Sequence, residues 1–182
     1  MSLHKIKIIK NCISQQFVDF IDKELTSTNL QWVYKLNVTS NEIQEIKPGF
    51  SNCPFKDNNI FNMSYWFLYP LLLETANKNN FFVEHLLRIK IGAYVNRNTK
   101  DINNIHVDSK EPHIVALYYP HDSDGETVFF DSIENKNEIL RVKPERGSIV
   151  FFDGSIPHSS SNPVEHDIRI TVNYNFIGVW PE

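Results

Sequence analysis

From Val83 to Val179 the chain is an almost unbroken series of β-branched and aromatic runs: VEHLLRIKIGAYVN, HIVALYYP, ETVFFDSI, EILRVKP, GSIVFFDG and IRITVNYNFIGV. Between them lie HDSDG, ENKN, PERG and SSSNPVEHD, whose Gly, Pro, Asn and Asp supply turn geometry. Short strands repeated at regular spacing bury their apolar faces in a sandwich or a barrel. The first half reads differently. KIKIIK alternates like a strand, and Ser14 can cap a helix through SQQFVDFIDKEL, with Phe17, Phe20, Ile21 and Leu25 as its apolar stripe, interrupted at Glu24. A second helix is predicted in SYWFLYPLLLETANKNN, with Ser64 as its cap and Pro70 starting or kinking the regular part. The aromatic run Tyr65, Trp66, Phe67 reads as core packing. The fold expected is therefore α+β, mainly β: an antiparallel jelly roll with the N-terminal helices packed on one sheet.

A chain of 182 residues is one domain's worth and can bury about 70% of its unfolded surface. The expected division is residues 1–83 as helical and lid support and 84–180 as jelly-roll core. The lid is assigned to Asn37–Asn62, where polar residues, Pro48, Gly49 and Pro54 break any period and predict a long loop. A net charge of -4 gives no basic field for a phosphate backbone, which argues against nucleic acid as a partner. Cys12 and Cys53 are too few for a disulfide scaffold or a cysteine metal cage and fit a reduced, cytoplasmic protein. No long apolar run predicts secretion or membrane insertion. Oligomeric state is not legible.

The stretch NNIHVDSKEPH places His106 and Asp108 two positions apart. On an extended segment, residues i and i+2 share a side, so an imidazole and a carboxylate face one point. Alone the pair is weak, since His-x-Asp is common in solvated loops. A third donor is His158, separated from Asp108 by 49 intervening residues, after the apolar run GSIVFFDG. Two imidazoles and a carboxylate on one face of an octahedron leave up to three positions open, whereas a structural zinc site closes its shell. Eleven residues after His158 comes Arg169, which alternates with Ile168 and Ile170 and shares its face with Thr171 and Asn173. A guanidinium fork can pair both oxygens of a carboxylate, although a solvent-facing strand side would look the same.

Taken in order, HVD, YYPHDSDGET, PERGSIVFF, PH and RIT resemble the 2-oxoglutarate- and Fe(II)-dependent oxygenases, most closely the small prolyl-4-hydroxylase-like members of bacteria and phages. The resemblance runs from Leu87 to Ile177. It implies a double-stranded β-helix (cupin-like jelly roll), with His106, Asp108 and His158 as the iron triad and Arg169 as the residue pairing the far carboxylate of 2-oxoglutarate. It further implies that Tyr119, Thr127 and Thr171 line the same co-substrate pocket. Relatives carry a tyrosine about ten residues before the metal histidine; here Asn96 holds that place and Tyr94 lies two residues earlier, so either could face the iron. Arg88 and Lys90 lie on one side of the same strand and could approach the site or be surface charges.

The implied cofactors are Fe(II), 2-oxoglutarate and O2, with room for ascorbate, and the implied reaction hydroxylates a C–H bond while releasing succinate and CO2. The implied partner is a peptide or protein carrying the prolyl substrate. A free amino acid or small metabolite is the alternative substrate, and a cupin-type metal-binding enzyme or module that does not use 2-oxoglutarate is the alternative class. The cupin reading requires a further histidine or glutamate near the pair, and neither His113 nor Glu111 is placed for it. His113 and His121 are expected to be structural or solvated. His4, His85 and His166 have no partner at metal spacing.

Overall fold

In the computed structural model, residues 5–38 and 46–181 are described. The elements in chain order are β1 (Ile6–Ile9), α1 (Gln15–Thr26), β2 (Val33–Lys35), β3 (Gly49–Lys56), β4 (Asn59–Ile60), α2 (Tyr65–Lys78), β5 (Phe82–Val95), β6 (Ile114–Tyr119), β7 (Thr127–Phe130), β8 (Glu138–Val142), β9 (Ser148–Asp153), β10 (His158–Ser160) and β11 (Ile168–Val179). The large sheet runs β1-β9-β6-β11-β5-β3-β2, with β4 paired to β3, and the small sheet runs β10-β7-β8. Every pairing between these strands is antiparallel.

Alternation along the central strands divides the molecule into layers. Ala116 and Tyr118 of β6, Ile149 and Phe151 of β9, and Ile170, Val172, Tyr174 and Phe176 of β11 point to one side and bury against the helices. There they meet Val18, Ile21 and Leu25 of α1 and Leu68, Leu71, Leu72 and Ala76 of α2, all fully or almost fully buried. Burying each such side chain stabilises the fold by roughly 1.5–3 kcal/mol. Residues of opposite parity, Val115, Leu117 and Tyr119 of β6 and Val150 and Phe152 of β9, face the small sheet and pack on Phe129, Val142 and Ile156.

Both helices form where expected, with corrected details. Ser14 caps α1, its Oγ accepting from the Phe17 N–H at 3.4 Å. The buried stripe is Val18, Ile21 and Leu25; Phe20 is 43% exposed and Phe17 only partly buried. Ser64 makes no side-chain cap on α2. Asn62 does the capping work, its Oδ1 accepting from the Ser64 N–H at 3.0 Å. Pro70 lies inside α2. Tyr65 and Phe67 pack on the core, whereas Trp66 is 60% exposed.

The segment 37–62, expected as one long loop, supplies β3 and β4, and β3 pairs along β5. The lid assignment in part lies outside the described residues, at 39–45. Pro54 misled the reading because it sits where the β3–β5 register shifts, between Asn52 and Phe55, so the ladder does not need its missing N–H. Residues 1–83, expected as helical and lid support, thus add β1 to β4 to the large sheet. Among the described residues no helix is long and apolar enough to cross a membrane.

Candidate metal centre

The small sheet positions two histidines. His106 precedes β6 in an irregular segment, but its N–H donates to the His158 carbonyl at 3.0 Å and its carbonyl accepts the His158 N–H at 2.9 Å. Residues opposed in such a bridge project side chains to one face, and the two ring centroids lie 4.7 Å apart. Asn103 holds the pairing in register by donating from Nδ2 to Ser160 Oγ at 2.9 Å and accepting from Ser159 Oγ at 2.6 Å through its carbonyl. Two residues after His106, Asp108 turns to the same face. One ligand atom from each of His106, Asp108 and His158 lies within 4.8 Å of the others.

Each imidazole is oriented by the carbonyl two residues before it. His106 Nδ1 is 2.9 Å from the Asn104 oxygen, and His158 Nδ1 is 3.1 Å from the Ile156 oxygen. A carbonyl only accepts, so Nδ1 carries the proton and Nε2 keeps a lone pair for the shared space. Burial, assisted by His106, pushes the His158 pKa down to about 4, so this ring is neutral at neutral pH. Asp108 behaves oppositely. Burial would raise its pKa, but His158, Arg88, His106 and the Asn175 hydrogen bond together hold it well below the usual carboxylate range. With His158 neutral, the guanidinium of Arg88 is the charge that matters most: it donates to Asp108 Oδ1 at 3.0 Å. Asn173 and Asn175 each donate to Oδ2 at 2.9 Å.

Two imidazole nitrogens and one ionised carboxylate, orientation fixed from behind, suit a divalent first-row metal ion, and three donors leave positions open toward the cavity. That cavity measures about 690 Å³, and His106, Asp108, His158, Thr127, Arg169 and Thr171 all line it.

Arg169 is 1% exposed. Its Nη2 donates to Thr127 Oγ1 at 2.7 Å, while its Nε has no partner among the described residues. The guanidinium carbon lies 5.1 Å from the Tyr94 ring centroid and 6.0 Å from that of Tyr119. Among the described residues it forms no ion pair. A methyl at Gly125 would stand 2.8 Å from Arg169 Cδ and 2.9 Å from the Ser161 oxygen, so only a glycine lets this turn close behind the arginine stem.

Several expectations change here. Tyr119 stands behind Thr127, outside the cavity lining, its hydroxyl 2.8 Å from Thr127 Oγ1. Tyr94 lines the cavity, whereas Asn96 turns away and donates to the Val164 and His166 carbonyls at 2.9 and 3.3 Å. The strand face shared by Arg169, Thr171 and Asn173, for which a solvent-facing side was the alternative, lines the cavity. Arg88 and Lys90 both line the cavity. The role of Asn175 was missed, although its parity with Arg169, Thr171 and Asn173 carried the signal.

The other histidines in the described chain stay outside the triad. His113 Nδ1 bonds the Glu111 carbonyl at 2.7 Å and its ring packs on Gly154. His121 accepts from the Ile170 N–H at 3.3 Å, and His166 Nδ1 bonds Asp124 at 3.0 Å.

No family model matches the chain, and no curated protein matches it. Solved structures do. An oxidoreductase of the 2OG-Fe(II) oxygenase family from Burkholderia pseudomallei superposes with a TM-score of 0.73 at 12% identity, over 96% of this chain and 85% of that one. A prolyl hydroxylase from Trichoplax adhaerens, in complex with a hypoxia inducible factor peptide fragment, gives 0.68 at 12% identity over 96% and 84%. A non-heme alpha ketoglutarate dependent epimerase from nogalamycin biosynthesis gives 0.64 at 11% identity over 95% and 77%. The chain therefore has the double-stranded β-helix fold of these oxygenase structures, with a two-histidine, one-carboxylate cluster in its inter-sheet cavity.

Proposed function

We propose that the protein is a 2-oxoglutarate- and Fe(II)-dependent oxygenase that hydroxylates a C–H bond, with a prolyl residue of a peptide or protein as its substrate. The observation that carries this reading is Arg169: a guanidinium 1% exposed, without an ion-pair partner among the described residues, opening on the same cavity as His106, Asp108 and His158. A buried charge is costly unless something anionic pairs with it, and 2-oxoglutarate is a dianion long enough to touch a metal and an arginine at once. Fe(II) with bound 2-oxoglutarate supplies the activation of O2, with succinate and CO2 as co-products.

The chain's own residues do the rest. His106, Asp108 and His158 hold the ion, and Arg88, Asn173 and Asn175 fix the carboxylate's orientation. Arg169 and Thr127 bind the far carboxylate, with Tyr119 steadying Thr127 and with Tyr94 and Thr171 as walls. The strand walls exclude bulk water from the reacting end. Ascorbate would serve only to keep the iron reduced.

The prolyl substrate is supported by the resemblance of the site-bearing motifs and by the peptide-bound hydroxylase with this fold. A small-molecule substrate is the second reading, favoured by the epimerase with this fold and by a cavity of about 690 Å³ that can enclose a metabolite. The cupin-type reading loses its support, because among the described residues no further histidine or acid joins the triad. The test is succinate release by Fe(II)-loaded protein given 2-oxoglutarate and O2, with Pro-containing peptides in one arm and free amino acids in another. Peptide-stimulated turnover with the mass gain of one oxygen atom is expected; stimulation by the free amino acids alone transfers the proposal to small molecules, and no succinate in any arm sinks it.

A further inference from the structure

The chain carries a net charge of -4, yet the cavity that holds the triad is basic. Lys35, Lys56, Arg88, Lys90 and Arg169 line it, and among the described residues Asp108 is its single acid. Arg88 is committed to Asp108 at 3.0 Å, and Lys56 at the rim lies 3.6 Å from Asp57. Lys35 and Lys90 form no ion pair among the described residues. Lys90 is half-buried on β5, between Arg88 and Gly92 on the cavity-lining side, and its Nζ donates to the Val38 carbonyl at 2.9 Å. A divalent ion and a dianionic co-substrate at the inner end would cancel each other, so the lysines at the outer end would still pair with no acid among the described residues.

Like charges gathered around a half-enclosed space cost stability unless an anion joins them. Burial and then the neighbouring charge of Arg88 push the Lys90 pKa below the ordinary lysine value, with Lys35 acting in the same direction and Asp108 against it. The cluster is also set apart from Arg169. Lys90 stands opposite Asn173 in the β5–β11 register, whereas Arg169 stands opposite Tyr94, four residues further along β5. The cavity thus holds two cationic stations, with the triad face beside them.

We infer that the substrate is anionic: a carboxylate or phosphate group docks on Lys90 and Lys35, and this contact presents the neighbouring C–H bond to the metal face. The inference rests on the oxygenase reading for the chemistry that follows docking, but the anion site itself stands on the lysines alone. It narrows both candidate substrates, to a prolyl residue flanked by acidic residues or to an acidic small molecule.

The experiment titrates Mn(II)-loaded protein by calorimetry. The first titrant is 2-oxoglutarate, which reports on the oxygenase reading by itself. The second set, added to protein saturated with Mn(II) and 2-oxoglutarate, is inorganic phosphate, a hexaglutamate peptide and a hexaglutamine peptide at matched ionic strength. Phosphate or hexaglutamate is expected to bind, hexaglutamine not to bind, and Lys90→Gln to weaken binding about tenfold or more, with Lys35→Gln showing a smaller loss. Raising the salt should weaken binding further. Binding of phosphate alone assigns the phosphate source, and binding of the peptide alone assigns the carboxylate. If neither anion binds, or if Lys90→Gln binds them as wild type does, the inference falls even where 2-oxoglutarate binds. If 2-oxoglutarate fails to bind while the anions bind through Lys90, the oxygenase reading falls and the anion site stands.

Discussion

The space between the two sheets has a dry end and a wet end. At the dry end Val115, Val150, Phe152, Phe129, Val142 and Ile156 interdigitate without a polar side-chain atom among them. At the wet end Arg169, Thr171, Asn173 and Asn175 of β11 project into the same layer, beside Asp108 and the two histidines. The same strand pairing builds both, but the free-energy terms have opposite signs. Apolar contacts stabilise the dry end in proportion to the area removed from water. The wet end removes charges from water and returns only part of that cost through hydrogen bonds; Arg88 Nε, Arg169 Nε, Asn173 Oδ1 and Asn175 Oδ1 are buried without a partner among the described residues. Stability and chemistry are thus separated along the strands, not between domains, and the wet end is left to be completed by what binds there.

The largest effect expected is at the triad. Asp108→Ala should remove most bound metal and all succinate formation while leaving the dry end folded; metal content per chain and circular dichroism together check this, and full iron occupancy with turnover would break the assignment. At the dry end, Phe152→Ala should cost about 3–5 kcal/mol, read as a lower denaturant midpoint. Phe152 is also where the two ends touch, its ring edge-on to His158 with centroids 4.8 Å apart.

Arg169→Met sharpens the contrast most. It should weaken 2-oxoglutarate binding by roughly 30-fold or more, since cutting one partner of a buried charge pair costs about 2–5 kcal/mol, yet leave the stability of the unliganded protein within about 1 kcal/mol of wild type or above it. Calorimetry with Mn(II)-loaded protein and a urea melt without ligand give the two numbers; a large stability loss with unchanged affinity would make Arg169 a structural residue.

A smaller effect is expected beside Arg169, where Asp124 accepts the backbone N–H groups of Val164, Glu165 and His166 at 3.0, 3.1 and 3.2 Å. Burial would raise its pKa, but these bonds and the His166 side chain hold it below the usual carboxylate range. A carboxyl lowered in the folded state contributes stability above its unfolded pKa and loses it as the pH falls through the folded value. Asp124→Asn should therefore cost about 1–3 kcal/mol at neutral pH, with the deficit against wild type shrinking in acid. A deficit independent of pH would show that the carboxylate charge is not what fastens this loop.

Legibility in the sequence followed the same division. The strands of the second half were readable because dry-side residues are β-branched or aromatic at period two, and β5, β6, β7, β8, β9 and β11 all stand where those runs lie. The pairing of His106 with Asp108 could be proposed because residues at i, i+2 share a face, but the pair alone was weak, and it took His158 and the ordered resemblance to group the three residues that cluster here. What escaped were strands held by neighbours rather than by their own composition. GFSNCPFK forms β3 because β5 offers it an edge and a register shift absorbs Pro54. HSS forms β10 because β7 on one side and His106 on the other complete it. The choice between Tyr94 and Asn96, left open by their distance from His106, is made by where the strand stops: β5 ends at Val95, so Asn96 no longer follows its alternation. The basic cavity could not be seen in a net charge of -4, because a sum over the chain hides where each charge is placed.

β11 presents Ile170, Val172, Tyr174 and Phe176 to the helices and Arg169, Thr171, Asn173 and Asn175 to the cavity. A slip of one residue against β5 or β6 would exchange the two sets, driving a guanidinium and two amides into the helix-packed core while filling the cavity with isoleucine and tyrosine. No partly correct alignment exists between these extremes. Assembly of this strand is therefore self-inspecting: a molecule that has closed its core has, by the same act, set the residues of the cavity face, and a misaligned one is exposed by its instability before it can persist as a folded but inert protein.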